Sequence, residues 1–436
     1  MATYQAPDSP VLARLIAPLT EAYPGAQRRY DCKGLGDLDF LEAGVSRCLS
    51  AVASGRDFLQ QHGDGGRKEI ERTLLFKALK SGRRLENLAS VNLNVARLMG
   101  SRLADPFAGV AELSGFDIYA GDGHFHEAAC HDPHRPKKPK KPKPAKKKAN
   151  GDRQKRARKL QTGHFFMLGM RDHHLRHHAL AEPRPGGGNE HDMHALKRVG
   201  ARALRLGAEV RRKVMIVWDR ACIDFGFWEE SKRLGVYFIS REKANMDLQV
   251  MGLVSGFDRE DPRNAGVTAD ELVGPGGGGS MLRRVTYTDA KGTTYKYLTT
   301  EKKLPAWVVV LLFKQRWDIE KVFDEVKNKM LERKSWASGK VAKKMHANFV
   351  CLAHNLMVLL EDQIEKAGGI SNSPERARKS GREEEAKRSG AGYVATMMQR
   401  FTVRSVKFVR WLRNFIYRET RWCDALARLA KIYSTR

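Results

Sequence analysis

The sequence predicts an α/β core with helical regions on either side of it, and three observations carry that prediction. Val214 to Trp218 reads VMIVW, a short, wholly apolar run typical of a strand buried on both faces. Strand-like text stands on both sides of it: FDIYAGDGHF from Phe116, HFFMLGM from His164, and VYFIS from Val236. Apolar residues at helical spacing fill the chain before residue 110 and after residue 305.

Taken in order, the chain opens with helical segments over residues 10–22, 40–61, 68–79 and 85–99. In the second of these, Leu41, Val45, Cys48, Leu49, Val52 and Leu59 recur near helical spacing. A first strand begins near Phe116. A Pro/Lys-rich stretch follows, PHRPKKPKKPKPAKKKANGDRQKRARK, whose prolines and mutually repelling lysines favour extended backbone. After the second strand, PGGGN breaks the chain ahead of a helix over 192–206, capped by Asn189 or Asp192. The strand at 214–218, a short helix over 228–234 and the strand at 236–240 complete the α/β pattern. Residues 245–300 change character: PGGGGS precedes RRVTYT and YKYLT, which flank the hairpin-like DAKG. One long helix is expected over 306–331, and two more over 341–366 and 393–433, with a charged linker between them.

The balance of charge constrains the partner. Lys and Arg number 79 against 50 Asp and Glu, a formal net charge of +29. So large an excess calls for a polyanion, and nucleic acid fits best because phosphate contacts release counterions. No apolar run is long enough to span a bilayer, and the opening MATYQAPDSP lacks the layout of a signal peptide. A cytoplasmic, nucleoid-associated bacterial protein is expected, with no membrane partner. The six cysteines contain no CxxC pair and are read as reduced thiols.

The segment FKQRWDIEKVFDEVKNKM, from Phe313 to Met330, carries the chemistry. On a regular helix Phe313, Arg316, Glu320 and Lys327 lie within about 60° of one another. Ile319, Val322, Phe323 and Val326 form an adjoining apolar stripe that packs on a sheet. One face thus shows a carboxylate between two cations, which suits a site holding metal and phosphate together. A solvated amphipathic helix laced with salt bridges gives the same local pattern.

The spacing Phe313-x2-Arg316-x3-Glu320-x6-Lys327 resembles the Tyr-x2-Arg-x3-Glu-x6-Lys motif of DDE transposases of the insertion-sequence-four type, with Phe313 in place of Tyr. RWDIEKVF is similar to that family's RWxIExxF, and YKYLTTEKKLP resembles the text before its catalytic helix. The resemblance covers roughly residues 110–365. It implies a ribonuclease-H-like catalytic core with two earlier aspartates on strands. VMIVWDR supplies the second at Asp219, followed by Arg220; Asp224 lies past the strand, where a cap role is expected. FDIYAGDGHFH offers Asp117 and Asp122 for the first, and Asp122 fits the family pattern better, although Gly123 and His124 replace the usual hydroxyl residues.

The resemblance further implies that Asp122, Asp219 and Glu320 are catalytic and ligate Mg²⁺ or Mn²⁺, two ions in all. Hard cations of that kind prefer carboxylate oxygen and can stabilise both the attacking and departing oxygens of a phosphodiester. Phe313, Arg316, Lys327, Arg220 and Trp317 are the implied DNA contacts. The expected reaction is hydrolytic cleavage at the ends of an insertion sequence followed by strand transfer of the 3′ hydroxyl into target DNA. The implied partners are double-stranded DNA, as terminal inverted repeats and as target, and a second copy of the chain. A DNA-binding descendant that no longer cuts, and a ribonuclease-H-like nuclease without strand joining, are the alternatives.

The expected organisation is a helical N-terminal DNA-binding region (1–110), the first part of the catalytic core (111–244) with a basic loop at 133–160, a β-rich insertion (245–300), the end of the core with the Glu helix (301–366), and a charged linker with a helical C-terminal region (367–436). Three further features have plain readings. HFHEAACH, with His124, His126, Cys130 and His131, matches no standard zinc spacing, and RDHHLRHH from Arg171 reads as a polar loop. Tyr287, Tyr295 and Tyr297 read as cross-strand packing before base stacking. Trp411, Phe415 and Trp422 read as core or dimer contacts.

Overall fold

The computed structural model describes residues 7–25, 34–50, 54–65, 67, 69–129, 131–134, 160–182, 190–276, 279–330, 332, 334–390, 392–398 and 406–434. Most of the basic Pro/Lys loop, together with Cys32, Cys130 and Asn189, lies outside them.

Five helices come first: α1 (Pro10–Ala22), α2 (Asp37–Leu49), α3 (Gly55–Asp64), α4 (Arg72–Ala78) and α5 (Gly82–Arg102). Ser9, Ser54 and Ser81 cap α1, α3 and α5 through their hydroxyls. The strands and the two short helices among them follow: β1 (Phe116–Glu127), β2 (Gln161–Gly169), β3 (Leu175–Ala181), α6 (Asp192–Val199), β4 (Lys213–Trp218), α7 (Phe225–Arg233) and β5 (Val236–Arg241). Then come β6 (Leu248–Leu253), β7 (Val267–Pro275), β8 (Leu282–Thr288) and β9 (Thr294–Thr299). The rest is helical: α8 (Ala306–Gln315), α9 (Trp317–Asp324), α10 (Lys340–Gly368), α11 (Ser373–Arg388), α12 (Tyr393–Met397), α13 (Val406–Phe415) and α14 (Trp422–Ser434).

The nine strands form one mixed sheet in the order β3-β2-β1-β4-β5-β9-β8-β7-β6. β1, β4 and β5 run parallel at its centre, and the flanking pairs are antiparallel. Strand β4 is buried on both faces, as its unbroken apolar text requires. Met215 and Val217 face the larger core with α8 and α10; Val214, Ile216 and Trp218 face a second core with α6 and α7. The result is a sheet layered between helices.

The β-rich block continues this sheet from β5 through β9. Its hairpin turns on Asp289, whose Oδ1 accepts from the amides of Lys291 and Thr293 at 2.9 Å each, with Gly292 in the left-handed region at φ +79°. Tyr287 and Tyr295 pair across β8 and β9, and the Tyr295 and Tyr297 rings lie parallel at 6.2 Å, so these aromatics do pack within the sheet.

The N-terminal helices pack on α10. Phe40 meets Phe349 edge to face at 5.2 Å, Gly44 lies against the same ring, and Asn92 Nδ2 donates to the Asn348 carbonyl at 3.0 Å. Trp411 is fully buried with Phe415 and Trp422 around it, which fits the core reading of that trio.

Four elements differ from expectation. The His-rich stretch read as a loop enters strand β3, where His177 packs against Phe166 of the neighbouring strand; histidine is tolerated there because burial in a ring cluster replaces alternation as the pattern. The helix expected over 192–206 ends at Val199, where Gly200 adopts φ +91°, and its cap is His191, whose Nδ1 accepts from the Met193 amide at 3.2 Å. The charged linker is largely helix α11, held by pairs such as Lys387–Glu383 at 3.1 Å and Arg378–Glu375 at 2.9 Å. The helix expected over 393–433 is divided among α12, α13 and α14.

Candidate active site

Parallel pairing of β1 with β4 puts Gly121 opposite Trp218, so the next residues, Asp122 and Asp219, stand side by side at the carboxyl end of the two strands. Asp219 ends its strand as an N-cap, accepting from the Ala221 amide at 2.7 Å, and its carbonyl accepts from Ser240 Oγ at 3.0 Å. Arg220 follows it, exposed. Asp117 pairs instead with Arg212 at 2.6 Å and sits opposite Val214, at the far end of the strand from Asp219. Asp224 caps α7 through the Phe227 amide at 2.9 Å, as expected for a residue past the strand.

Glu320 comes from the other side of the cleft. Helix α8 is apolar on nearly every face, with Trp307 to Leu312 buried, and so is fixed against the sheet. The chain then bends into α9, so the expected single helix is broken at Arg316. The Arg316 amide is shared between the Leu312 and Phe313 carbonyls, both at 3.2 Å. A π-helical turn over Glu325–Lys329 follows, closed by the Met330 amide on the Glu325 carbonyl at 2.8 Å. Uniform helical register therefore holds through α9, where Ile319 and Val322 are buried as the apolar stripe requires, and shifts before Lys327.

Arg316 joins the two sides. Its Nη2 donates to Glu320 Oε1 at 2.9 Å, and its Nη1 lies 3.4 Å from Asp122 Oδ2. The side chain is buried over the Phe313 ring, and its Nε has no hydrogen-bond partner among the described residues. Burial pushes the Asp122 carboxyl up to about 6, with the neighbouring Asp219 and Glu320 carboxylates adding to the rise; Arg316 and the Gly123 amide oppose it. A carboxylate so placed lacks sufficient positive charge, and oxygen-only donors of this kind suit a hard divalent cation. Among the described residues no three His, Cys, Asp or Glu side chains are already drawn together on one point as a metal site; in the present arrangement the Arg316 guanidinium supplies the cation between Asp122 and Glu320.

Beside Asp219 opens a cavity of about 680 Å³, lined by Arg220, Arg241, Tyr295, Tyr297, Phe313, Lys314, Arg316 and Trp317 among others. Phe313 packs 4.7 Å from the Tyr297 ring, whereas Trp317 is 59% exposed. Lys327 is exposed on the turn after α9, close enough to His124 to lower the imidazole's proton affinity, to which burial contributes most.

A fourth carboxylate, Asp192 of α6, escaped the reading of the sequence. A methyl group on Gly123 would stand 2.6 and 2.8 Å from its two oxygens, so the glycine following Asp122 leaves room for it. Burial raises the Asp192 carboxyl, and Asp219 adds to the rise. Only the fold brings Asp192 here; its local text signals no more than a helix start.

Residues 123–356, more than half of the chain, match the family described as the transposase DDE domain. The chain belongs to that family. A further relative is the Sinorhizobium fredii protein named "Putative transposase y4zB", 27% identical over 151 residues, a match that covers 32% of this chain and spans 41% of that protein's length. Asp219 and Glu320 fall inside the family match, and Asp122 stands one residue before it. Among the described residues no helix is long and apolar enough to cross a membrane.

Proposed function

We propose that this chain is a transposase of the insertion-sequence-four type, built on a ribonuclease-H-like core, that cleaves DNA at element ends and transfers the 3′ hydroxyl into target DNA. The observation that carries the reading is the meeting of Asp122 and Asp219 on adjacent parallel strands with Glu320 across the cleft, tied through Arg316. Family membership gives the chemistry its class.

In this reading Asp122, Asp219 and Glu320 hold two Mg²⁺ or Mn²⁺ ions. Bound there, the cations supply Lewis-acid stabilisation of the attacking and departing oxygens. The chain's own groups do the rest. Arg316 keeps Glu320 turned toward Asp122 and offers its remaining N–H groups to a phosphate. Arg220, Lys314 and Arg241 give the cavity a cationic wall for the DNA backbone. Trp317 presents an exposed ring to the nucleotide beside the cut, and Phe313 supports the wall as a buried ring without a hydroxyl. Lys327 contacts phosphate at the rim of the site. The N-terminal helical region contributes DNA contacts, and two copies hold two ends.

Strand joining separates this reading from a nuclease. Pre-cleaved terminal DNA is incubated with a supercoiled target plasmid and Mg²⁺ or Mn²⁺. A covalent end–target product, absent with Glu320→Gln, is the expected result. Hydrolysed ends without any joined product would contradict strand transfer, and binding without cutting would point to an inactive descendant.

A further inference from the structure

The histidines of HFHEAACH were left without metal partners by the sequence, and the fold supplies partners from elsewhere. His124 and His126 project from β1 toward α10, His164 faces the same way on β2 opposite His124, and His346 comes from α10. The His126 ring lies 5.1 Å from that of His164 and 5.2 Å from that of His346, centroid to centroid. All three residues are at least nine-tenths buried. His126 Nε2, His164 Nε2 and His346 Nδ1 are buried with no hydrogen-bond partner among the described residues. Buried ring nitrogens are almost always satisfied, so three orphans in one cluster need an occupant.

We propose that His126, His164 and His346 bind one Zn²⁺ ion through these three nitrogens, at a site separate from the carboxylates of the cleft. The second nitrogens are already committed in the manner of metal-bound imidazoles. His346 Nε2 donates to Glu332 Oε2 at 2.9 Å, which leaves Nδ1 with the lone pair. His164 Nδ1 lies 3.1 Å from His177 Nε2, and His177 is bonded to the Ala179 backbone, which leaves His177 Nε2 to accept and His164 Nε2 free to ligate. Burial holds His126 and His164 neutral, the form that ligates. Two imidazoles on one tetrahedral zinc at about 2.0–2.1 Å have centroids about 5 Å apart, which is the spacing found on both sides of His126. Three neutral imidazoles suit zinc better than Mg²⁺. Glu332 offsets part of the charge, and the nearby Lys343 is neutralised by Asp132 at 2.5 Å. The three nitrogens do not yet converge on one point, so small ring rotations accompany binding.

The test is zinc content of the full chain after removal of loosely held metal by a weak chelator. One equivalent is expected in the wild type and in Asp219→Asn and His191→Asn, with loss of at least nine-tenths of it in His126→Asn and His346→Asn. Because those variants may misfold, Co²⁺ is also titrated into the metal-free wild type. Intense tetrahedral d–d absorption, saturating at one equivalent and bleached by Zn²⁺, is the expected result. Wild-type protein that retains no zinc and gives only weak octahedral Co²⁺ absorption would overturn the site and leave water as the occupant. Retention of zinc by Asp219→Asn keeps this outcome distinct from failure of the cleft chemistry.

Discussion

The Arg316 guanidinium reaches the Asp122 carboxylate at 3.4 Å across 194 residues of sequence, while holding Glu320 one helical turn away at 2.9 Å. Removing it leaves two carboxylates facing each other over a buried Asp122. Arg316→Ala should therefore lower DNA cleavage by roughly 10² to 10³, the scale of a preorganised electrostatic group. Arg316→Lys should recover little, because a point charge cannot serve both carboxylates as a planar fork does. Single-turnover cleavage of end DNA measures both; a lysine variant with full activity would show that only charge matters.

Proton affinity at Asp122 sets a pH dependence. Its folded value, about 6, lies above the ordinary 3.8. Below pH 3.8 the carboxyl is protonated in both folded and unfolded chains, and no penalty exists. As pH rises to about 6 the unfolded chain ionises first, so the metal-free fold loses on the order of 1–3 kcal/mol across that window. Asp122→Asn should flatten this loss in urea unfolding. Cation binding and cleavage run the other way, rising through about pH 6 as Asp122 becomes available to a metal. A pH-independent Mn²⁺ affinity between pH 5 and 8 would contradict it.

Gly123 and Asp192 are predicted to be coupled. Gly123→Ala drives a methyl group into the Asp192 carboxylate, 2.6 Å away, and should shift Asp122 enough to slow cleavage roughly tenfold or more. Adding Asp192→Ala should restore a large part of that loss. A double-mutant cycle on cleavage rates measures the coupling, and strict additivity would show that the two residues act apart.

The contact between the N-terminal helices and α10 makes a stability prediction. Alanine is ordinarily the better helix residue, by up to about 1 kcal/mol over glycine. At Gly44 its methyl would enter the Phe349 ring, so Gly44→Ala should instead destabilise the chain by about 1–3 kcal/mol in urea unfolding. An unchanged midpoint would mean that α2 and α10 part easily.

The sequence was informative where chemistry and local pattern coincide. VMIVWDR marks a buried strand ending in Asp219, and the spacing from Phe313 to Glu320 survives because α9 keeps regular register over one turn. It was silent where tertiary contact decides. Nothing local announces that Gly123 makes room for Asp192, that α8 gives way to α9 at Arg316, or that His164 and His346 join His126. Strand β3 was missed because its histidines hide the usual alternation. Helix α11 was missed because charge density suggested a linker, whereas paired charges one turn apart support a helix.

The central claim is that Asp122, Asp219 and Glu320 make one metal-dependent cleavage site. The most direct measurement is nicking of DNA carrying both flanks of the gene, with and without Mg²⁺, by the wild type and by Asp219→Asn. The predicted result is cuts at the flank boundaries that vanish on chelation, return with added Mg²⁺, and fall by at least roughly 10³ in the variant, while DNA binding stays within about threefold. Full cutting by Asp219→Asn, or cutting that persists without divalent cation, would contradict it.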